Sequence, residues 1–174
     1  MIRELAKKLS AFAEVADFVI IELQFRRGTF EAGAQIVKEH SSMILLRASS
    51  AEAELVVKMI RPRKKITAAL GSRIQSAEKI WRVFTASEVS DFVQAVGDNN
   101  PIHRLNPPIV PAFLILETIC AEVTADFIRL KFKNFITAGE PLSLHVDGNR
   151  LEIRGAGVRK VLASFKQLNQ LLAD

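Results

Sequence analysis

The sequence predicts an α+β protein built from two copies of one helix-plus-sheet unit, and three observations support this. The first is an internal repeat. A helical stretch from Ile2 to Val15 runs into ADFVIIELQFRRGTFEAGAQI, starting at Ala16, and a helical stretch from Ala112 to Val123 runs into ADFIRLKFKNFITAGEPLSL, starting at Ala125. Ala16, Asp17 and Phe18 match Ala125, Asp126 and Phe127, and Leu23 and Phe25 match Leu130 and Phe132. Further on, Gly33 corresponds to Gly139, and Leu46-Arg47 to Ile153-Arg154. Duplication of one structural unit is the simplest source of such a pattern. The second observation is that the Ala112–Val123 helix is apolar nearly all round, through Phe113, Leu114, Ile115, Leu116, Ile119 and Val123. A helix of that kind suits burial inside a curved sheet. The third is a series of short β-prone runs separated by turn residues.

Taken in order, the runs Val19–Phe25, Ala34–Lys38, Met43–Ala48 and Glu54–Ile60 read as strands of the first copy. Ile128–Phe132, Leu142–Val146, Arg150–Arg154 and Val161–Phe165 read as strands of the second. Glu39–Ser42 and Asp147–Asn149 are turns, the latter with a hairpin-forming Asp-Gly pair. Before the second copy, Thr85 or Ser87 caps a helix whose apolar positions Val89, Phe92, Val93 and Val96 recur at three- and four-residue intervals, with Glu88 near its start. Gly97 suits a left-handed cap that ends it. In the helix from Ala112, Glu117 either faces a pocket or lies at an exposed end, and Glu122 pairs at the surface.

The segment that follows Gly97 carries the chemistry. Val96 to His103 reads VGDNNPIH. Asn99 and Asn100 tolerate turn conformations, and Pro101 pushes Asn100 away from helical dihedrals, so Asp98 and His103 flank a rigid bend. A carboxylate and an imidazole placed in this way can converge on one water or hydroxyl, the first accepting and the second shuttling a proton near neutral pH. The same residues would also serve a purely structural loop, with Asp98 capping backbone amides and His103 packed at a surface. If the site handles a carbonyl substrate, a helix N-terminus can supply donors for the developing oxyanion. With Pro111 at a first helical position and lacking an amide proton, Ala112 and Phe113 are the available donors.

The order of residues from Phe84 to Leu116, FTASEVSDFVQAVGDNNPIHRLNPPIVPAFLIL, resembles the (R)-specific enoyl-CoA hydratases of the MaoC-like, hot-dog-fold family. Members carry a Phe-Thr/Ser start, a short helix, a Gly/Ser-Asp-x-Asn-Pro-x-His segment, and Pro-Ile-Val-x-Gly leading into a long central helix. The matching residues are Asp98, Asn100, Pro101, His103, Pro108, Ile109 and Val110. The resemblance implies a sheet wrapped antiparallel around one long helix in each unit, with an acyl tunnel where two units meet. The chain would then be a double hot dog. Residues 1–61 form a truncated first unit without a counterpart of Phe84 to Pro111, residues 62–79 a basic linker, and residues 80–174 the unit that carries the motif.

By the same resemblance, Asp98 and His103 are the catalytic pair for hydration of a trans-2-enoyl thioester or dehydration of an (R)-3-hydroxyacyl thioester. Asn100 holds the loop or orients the pair, and Ala112, Phe113 and Val110 bind substrate around the oxyanion site. The substrate would be a thioester of coenzyme A or of acyl carrier protein, with no cofactor and no metal. This chain departs from the family in three places. Pro111-Ala112 replaces His-Gly, the overhang between His103 and Pro108 is only Arg104 to Pro107, and Cys120 stands where many relatives place a serine. These departures keep two alternatives open: a non-catalytic acyl-thioester-binding or assembly module, and a hot-dog thioesterase.

The 174 residues, 49% hydrophobic and 25% charged, are enough for one sizeable core or two small halves. No apolar run approaches the ~20 residues of a membrane span, and no signal-peptide pattern opens the chain, so the expected setting is the cytoplasm without a membrane partner. One cysteine excludes an intramolecular disulfide, and three histidines without clustered carboxylates give a metal site little support. His40 and His145 fall near expected sheet edges and read as structural or surface residues. The net charge of +5 gathers around Lys58, Arg61, Arg63, Lys64, Lys65 and Arg73. That run reads either as a solvated connection or as a receiver of coenzyme A phosphates or an acidic carrier protein. Without tyrosine or interleaved aromatics, it does not read as a nucleic-acid site. A homodimer is expected if the shorter first unit leaves a sheet edge exposed.

Overall fold

Helix and sheet are cut from the chain by the periodicities noted above. A computed structural model describes residues 1–64, 66 and 79–171, the side chains of 167–171 excepted. The first copy comprises helix α1 (Ile2–Ser10) and strands β1 (Val19–Arg27), β2 (Gly33–His40), β3 (Met43–Ser49) and β4 (Ala53–Ile60). The second begins with β5 (Ile80–Val83) and α2 (Ala86–Val96). It continues with α3 (Ala112–Glu122), β6 (Val123–Phe132), β7 (Pro141–Asp147), β8 (Arg150–Gly155) and β9 (Val158–Leu171). All nine strands join one antiparallel sheet in the order β2-β3-β4-β1-β6-β9-β8-β7-β5.

The strand order makes the repeat visible in space. β1, β2, β3 and β4 occupy in their half the places that β6, β7, β8 and β9 occupy in theirs. The halves meet through β1 and β6, where Leu23 lies opposite Leu130, the same two residues that the sequence repeat equates. A local pseudo-twofold axis therefore runs through this leucine pair. Arg129 of β6 reaches across the junction and donates through Nε and Nη2 to Glu22 of β1, each at 2.9 Å. A half-exposed pair of this kind adds only ~0.2–1 kcal/mol, so it fixes register more than it stabilises. β2 and β5 are the two outer strands, and among the described residues no counterpart of β5 flanks β2.

Each half packs one helix on its sheet. α3 buries Phe113, Leu114, Ile115, Leu116 and Ile119, as its all-round apolar sequence requires. α1 is amphipathic and buries Ile2, Leu5, Ala6 and Leu9, at helical spacing, against α3 and the neighbouring elements. Arg3 of α1 grips Glu117 of α3 through two nitrogens at 2.9–3.1 Å, so Glu117 serves a helix-to-helix contact and not the pocket. Glu122 accepts from the Trp81 indole N–H of β5 at 2.7–2.8 Å.

Several boundaries differ from the expectation by up to three residues, strand β5 was not expected, and three ends differ by more. α1 ends at Ser10 because Phe12 turns to extended backbone, and a short 3-10 turn (Ala13–Val15) leads into β1. This break directs Phe12, Val15 and Phe18 toward a cavity instead of along a helix face. β6 starts at Val123, immediately after α3, and β9 reaches Leu171; both outrun their sequence signals because they pair with each other over that length.

Of the basic run, Lys58 lies in β4, and Arg61 pairs with Asp17 at 3.0 Å while its guanidinium stacks 4.7 Å over the Phe18 ring. Arg63 and Lys64 are exposed, and Lys65 and Arg73 fall outside the described residues. His40 ends the outer strand β2, and His145 lies in β7, one strand in from the other edge. Among the described residues no helix is long and apolar enough to cross a membrane.

Candidate active site

Helix α2 is fixed at both ends by side chains the sequence marks out. Thr85 Oγ1 accepts from the Glu88 amide at 3.1 Å, and Glu88 Oε2 accepts from the Thr85 amide at 2.7 Å, a capping box that selects Thr85 over Ser87 as the cap. At the other end Gly97 takes φ 69° and ψ 32°, a left-handed conformation that glycine adopts without a side-chain clash. The chain leaves the helix there and enters the Asp98–His103 bend.

Inside the bend each polar group is assigned. Asp98 Oδ1 accepts from the Asn100 amide at 2.9 Å. Asn100 Oδ1 accepts from the Ile102 amide at 3.2 Å and starts the short 3-10 helix Pro101–Arg104. Asn100 Nδ2 donates to the Phe18 carbonyl of the first half at 2.7 Å. The Asn100 side chain therefore tethers the loop, and its backbone amide orients Asp98. Its side chain does not itself reach the imidazole.

His103 completes the pair. Its Nδ1 lies 2.7 Å from the Ile109 carbonyl, which can only accept, so Nδ1 carries a proton in every protonation state compatible with that contact. Nε2 lies 3.4 Å from Asp98 Oδ2, and the two side chains are 7% and 19% exposed. Burial works to raise the Asp98 pKa, but the His103 hydrogen bond and charge, the Asn100 amide and Arg104 together outweigh it. The carboxyl is held below its ordinary value.

The helix starts one position later than expected, while the free donors are the expected ones. Pro111 is the cap of α3 and not its first helical residue, because its ψ of 137° is extended. Ala112 is then the first residue of the helix and Phe113 the second. The Leu114 and Ile115 amides are taken by the Pro111 carbonyl at 3.1 and 3.2 Å. Among the described residues nothing accepts from the Ala112 and Phe113 amides, which remain directed along the helix N-terminus. Val110 is different: its amide is committed to the Ile136 carbonyl at 2.8 Å, so it contributes its side chain to the wall and no donor.

These groups open onto a mainly apolar cavity of about 500 Å³. Asp98, Asn100, His103, Val110, Ala112 and Phe113 all line it, so the structure brings every sequence-selected site residue to one place. Much of the remaining wall comes from the first half, including Leu9, Phe12, Phe18, Val57 and Met59. Individual residue types gave no sign of this wall; only the repeat, which implied a second unit packed against the motif, could have located it. Two further contributors, the carbonyls of Phe18 and Ile109, act through backbone and carry no side-chain signature. Cys120 stands outside the cavity, and burial pushes its thiol up to about 12. Among the described residues no group of three or more potential metal ligands occurs.

The fold is the hot-dog fold, in a double arrangement of two helix-and-sheet halves. The structure resembles HtdX of Mycobacterium tuberculosis with a TM-score of 0.63 and 14% sequence identity, over 96% of this chain and 86% of that one. Weaker likenesses are a MaoC-like dehydratase from Phytophthora capsici (TM-score 0.48, 12% identity, 88% and 70% covered) and an acyl-ACP thioesterase from Bacteroides thetaiotaomicron (TM-score 0.49, 10% identity, 89% and 79% covered). No protein-family model matches the sequence, and no curated protein matches it. At 14% identity the likeness to HtdX establishes the fold alone; activity has to be argued from the site.

Proposed function

We propose that the chain hydrates trans-2-enoyl thioesters to (R)-3-hydroxyacyl thioesters, or runs the reverse dehydration, with Asp98 and His103 activating water. One observation carries this reading. In the neutral form of the ring, with Nδ1 protonated for the Ile109 carbonyl, the Nε2 lone pair of His103 would stand 3.4 Å from Asp98 Oδ2, so that two acceptors face one another inside an apolar cavity. A water donating to both suits such a pair and is the second reactant of a hydration.

In the proposed reaction the water oxygen bonds to C3 of the enoyl group as its proton passes to Nε2. The electron pair of the C2–C3 double bond moves toward the thioester oxygen, where the Ala112 and Phe113 amides stabilise it. Asp98 stabilises the imidazolium, which returns a proton to C2. Water is thus added with atoms and charge in balance, and the dyad ends as it began. The ordered motif supports the (R) outcome, and the acyl group would extend into the apolar cavity toward the first half. The thioester carrier would be coenzyme A or acyl carrier protein. This reading divides the chain into a shorter first unit, residues 1–61, that walls the acyl pocket, the basic linker 62–79, and residues 80–174, which carry the dyad.

The test is hydration of crotonyl-CoA and a medium-chain trans-2-enoyl-CoA, followed by loss of enone absorbance and chiral analysis of the product. Asp98→Asn and His103→Ala should each lower kcat by ~10²–10⁴-fold, the range of general acid–base contributions, with the fold intact. Equal turnover by wild type and both variants would sink the hydratase reading. Release of free thiol instead of hydration would point to a thioesterase. Saturable binding of the same thioesters without any turnover would favour the acyl-binding module, the alternative to which Ala112 in place of glycine lends weight.

A further inference from the structure

Behind the dyad lies a buried ion pair that the reaction above does not use. Glu140 is 4% exposed, and its Oε1 sits 2.7 Å from Lys160 Nζ, itself on a side chain only 12% exposed. Both residues bind the backbone of the segment 133–140 that joins β6 to β7. Glu140 Oε2 accepts from the Thr137 amide at 3.2 Å, and Lys160 Nζ donates to the Phe135 carbonyl at 2.9 Å. The Lys160 carbonyl accepts from the amides of Lys133 and Asn134 at 2.8 and 3.3 Å. The pair occupies the space beside Gly155, where an added Cβ would stand 2.4 Å from Glu140 Oε1.

The clamped segment in turn holds the strand-like stretch that orients His103. The Ile136 carbonyl accepts from the Val110 amide at 2.8 Å, the Ala138 amide donates to the Pro108 carbonyl at 2.8 Å, and Thr137 bridges to Ile109. Ile109 is the residue whose carbonyl meets His103 Nδ1. Hydrogen bonds and the short backbone stretches between them therefore link the buried pair to the imidazole.

We propose that Glu140 and Lys160 are positioning residues for the dyad: through segment 133–140 they fix the Ile109 carbonyl and so hold neutral His103 as the Nδ1–H tautomer. The consequence for turnover rests on the hydratase reading; the consequence for the tautomer does not. An ion pair buried at this depth is costly to assemble and often no more stabilising than an apolar replacement of its shape, so its use here is assigned to geometric definition.

The test has two independent readouts. ¹⁵N shifts of the imidazole, assigned by their loss in His103→Gln, report the tautomer directly, because Nδ1–H and Nε2–H rings differ in which nitrogen is protonated. Wild type should give the Nδ1–H form. Glu140→Gln, Lys160→Met and Gly155→Ala should give a mixture of tautomers. In the hydration assay the same variants should lose about tenfold in kcat with KM changed less than twofold. Glu152→Gln, which removes a glutamate paired with Arg154 and Arg159 on the same sheet but not joined to Ile109, should change neither. If Glu140→Gln fails to fold, Gly155→Ala keeps both charges and still displaces the carboxyl. An unmixed Nδ1–H signal in the folded variants overturns the proposal. If wild type hydrates nothing while the tautomer shifts as stated, the proposal stands and the hydratase reading fails.

Discussion

Replacing Asn100 by alanine probes the contact that seats the Asp98–His103 loop on the other half of the chain. The side chain is 7% exposed and makes two hydrogen bonds, one to the Phe18 carbonyl at 2.7 Å and one from the Ile102 amide at 3.2 Å. Alanine removes both and leaves a carbonyl and an amide without partners. An unsatisfied buried group costs about 1–3 kcal/mol, so the pair costs about 2–6 kcal/mol. For a chain of this size each kcal/mol lowers Tm by about 2–4 °C, which places the fall at roughly 4–24 °C. The Asn100 amide also positions Asp98 Oδ1, so kcat/KM in the hydration assay should drop at least tenfold as the bend relaxes. Asn100→Ser keeps an acceptor for the Ile102 amide but cannot reach Phe18, and should fall between the two. Scanning calorimetry and steady-state kinetics on the three proteins are the assay. A Tm for Asn100→Ala within about 2 °C of wild type would refute the reasoning, because the Phe18 tether would then carry no free energy.

Asp98 also predicts an acid response. Its folded-state pKa lies below the ordinary 3.8, so its contribution to stability is fully present above that value and is lost as the pH falls through the depressed folded-state value. Urea unfolding at pH 6 and at pH 3 should show a smaller difference between the two pH values in Asp98→Asn than in wild type; equal differences would remove Asp98 from the acid transition. Met59→Trp should fill part of the cavity wall given by β4, raising KM for a medium-chain enoyl-CoA severalfold while crotonyl-CoA turnover stays near wild type, and a parallel loss for both substrates would place the acyl chain elsewhere. At pH 8 about one Cys120 in ten thousand should be thiolate, given a thiol pKa of about 12, so alkylation by iodoacetamide should be slow in the native protein and fast in urea. Rapid native labelling would contradict the burial of the thiol.

The parts of the site set by local chemistry were legible in the sequence. Thr85 or Ser87 marks a helix start, Gly97 a left-handed exit and Asn100-Pro101 a bend, and all three features are present, with Thr85 as the cap. The repeat was equally plain, down to Leu23 and Leu130 meeting across the β1–β6 junction. Contacts made by backbone atoms distant in sequence were not legible. The Phe18 carbonyl binds Asn100 from 82 positions away, and any residue at position 18 would offer the same oxygen. The Ile109 carbonyl is hidden in the same manner. Strand ends failed for a related reason: β6 and β9 are lengthened by pairing with each other, a tertiary effect that no window of either segment contains. The end of α1 was missed because its apolar spacing continues into Phe12 and Val15, which face a cavity and not a helix groove.

The β1–β6 junction ties the loop that carries Asp98 and His103 to a pocket wall supplied by the other half of the same polypeptide. Were those parts on separate subunits, dilution would pull them apart by mass action and turnover per protein would decline. Because peptide bonds join them, their local concentration is fixed by the chain itself. The cavity described here needs no second molecule to acquire its far wall, and the proposed hydration should remain proportional to protein down to the lowest concentration at which the chain stays folded.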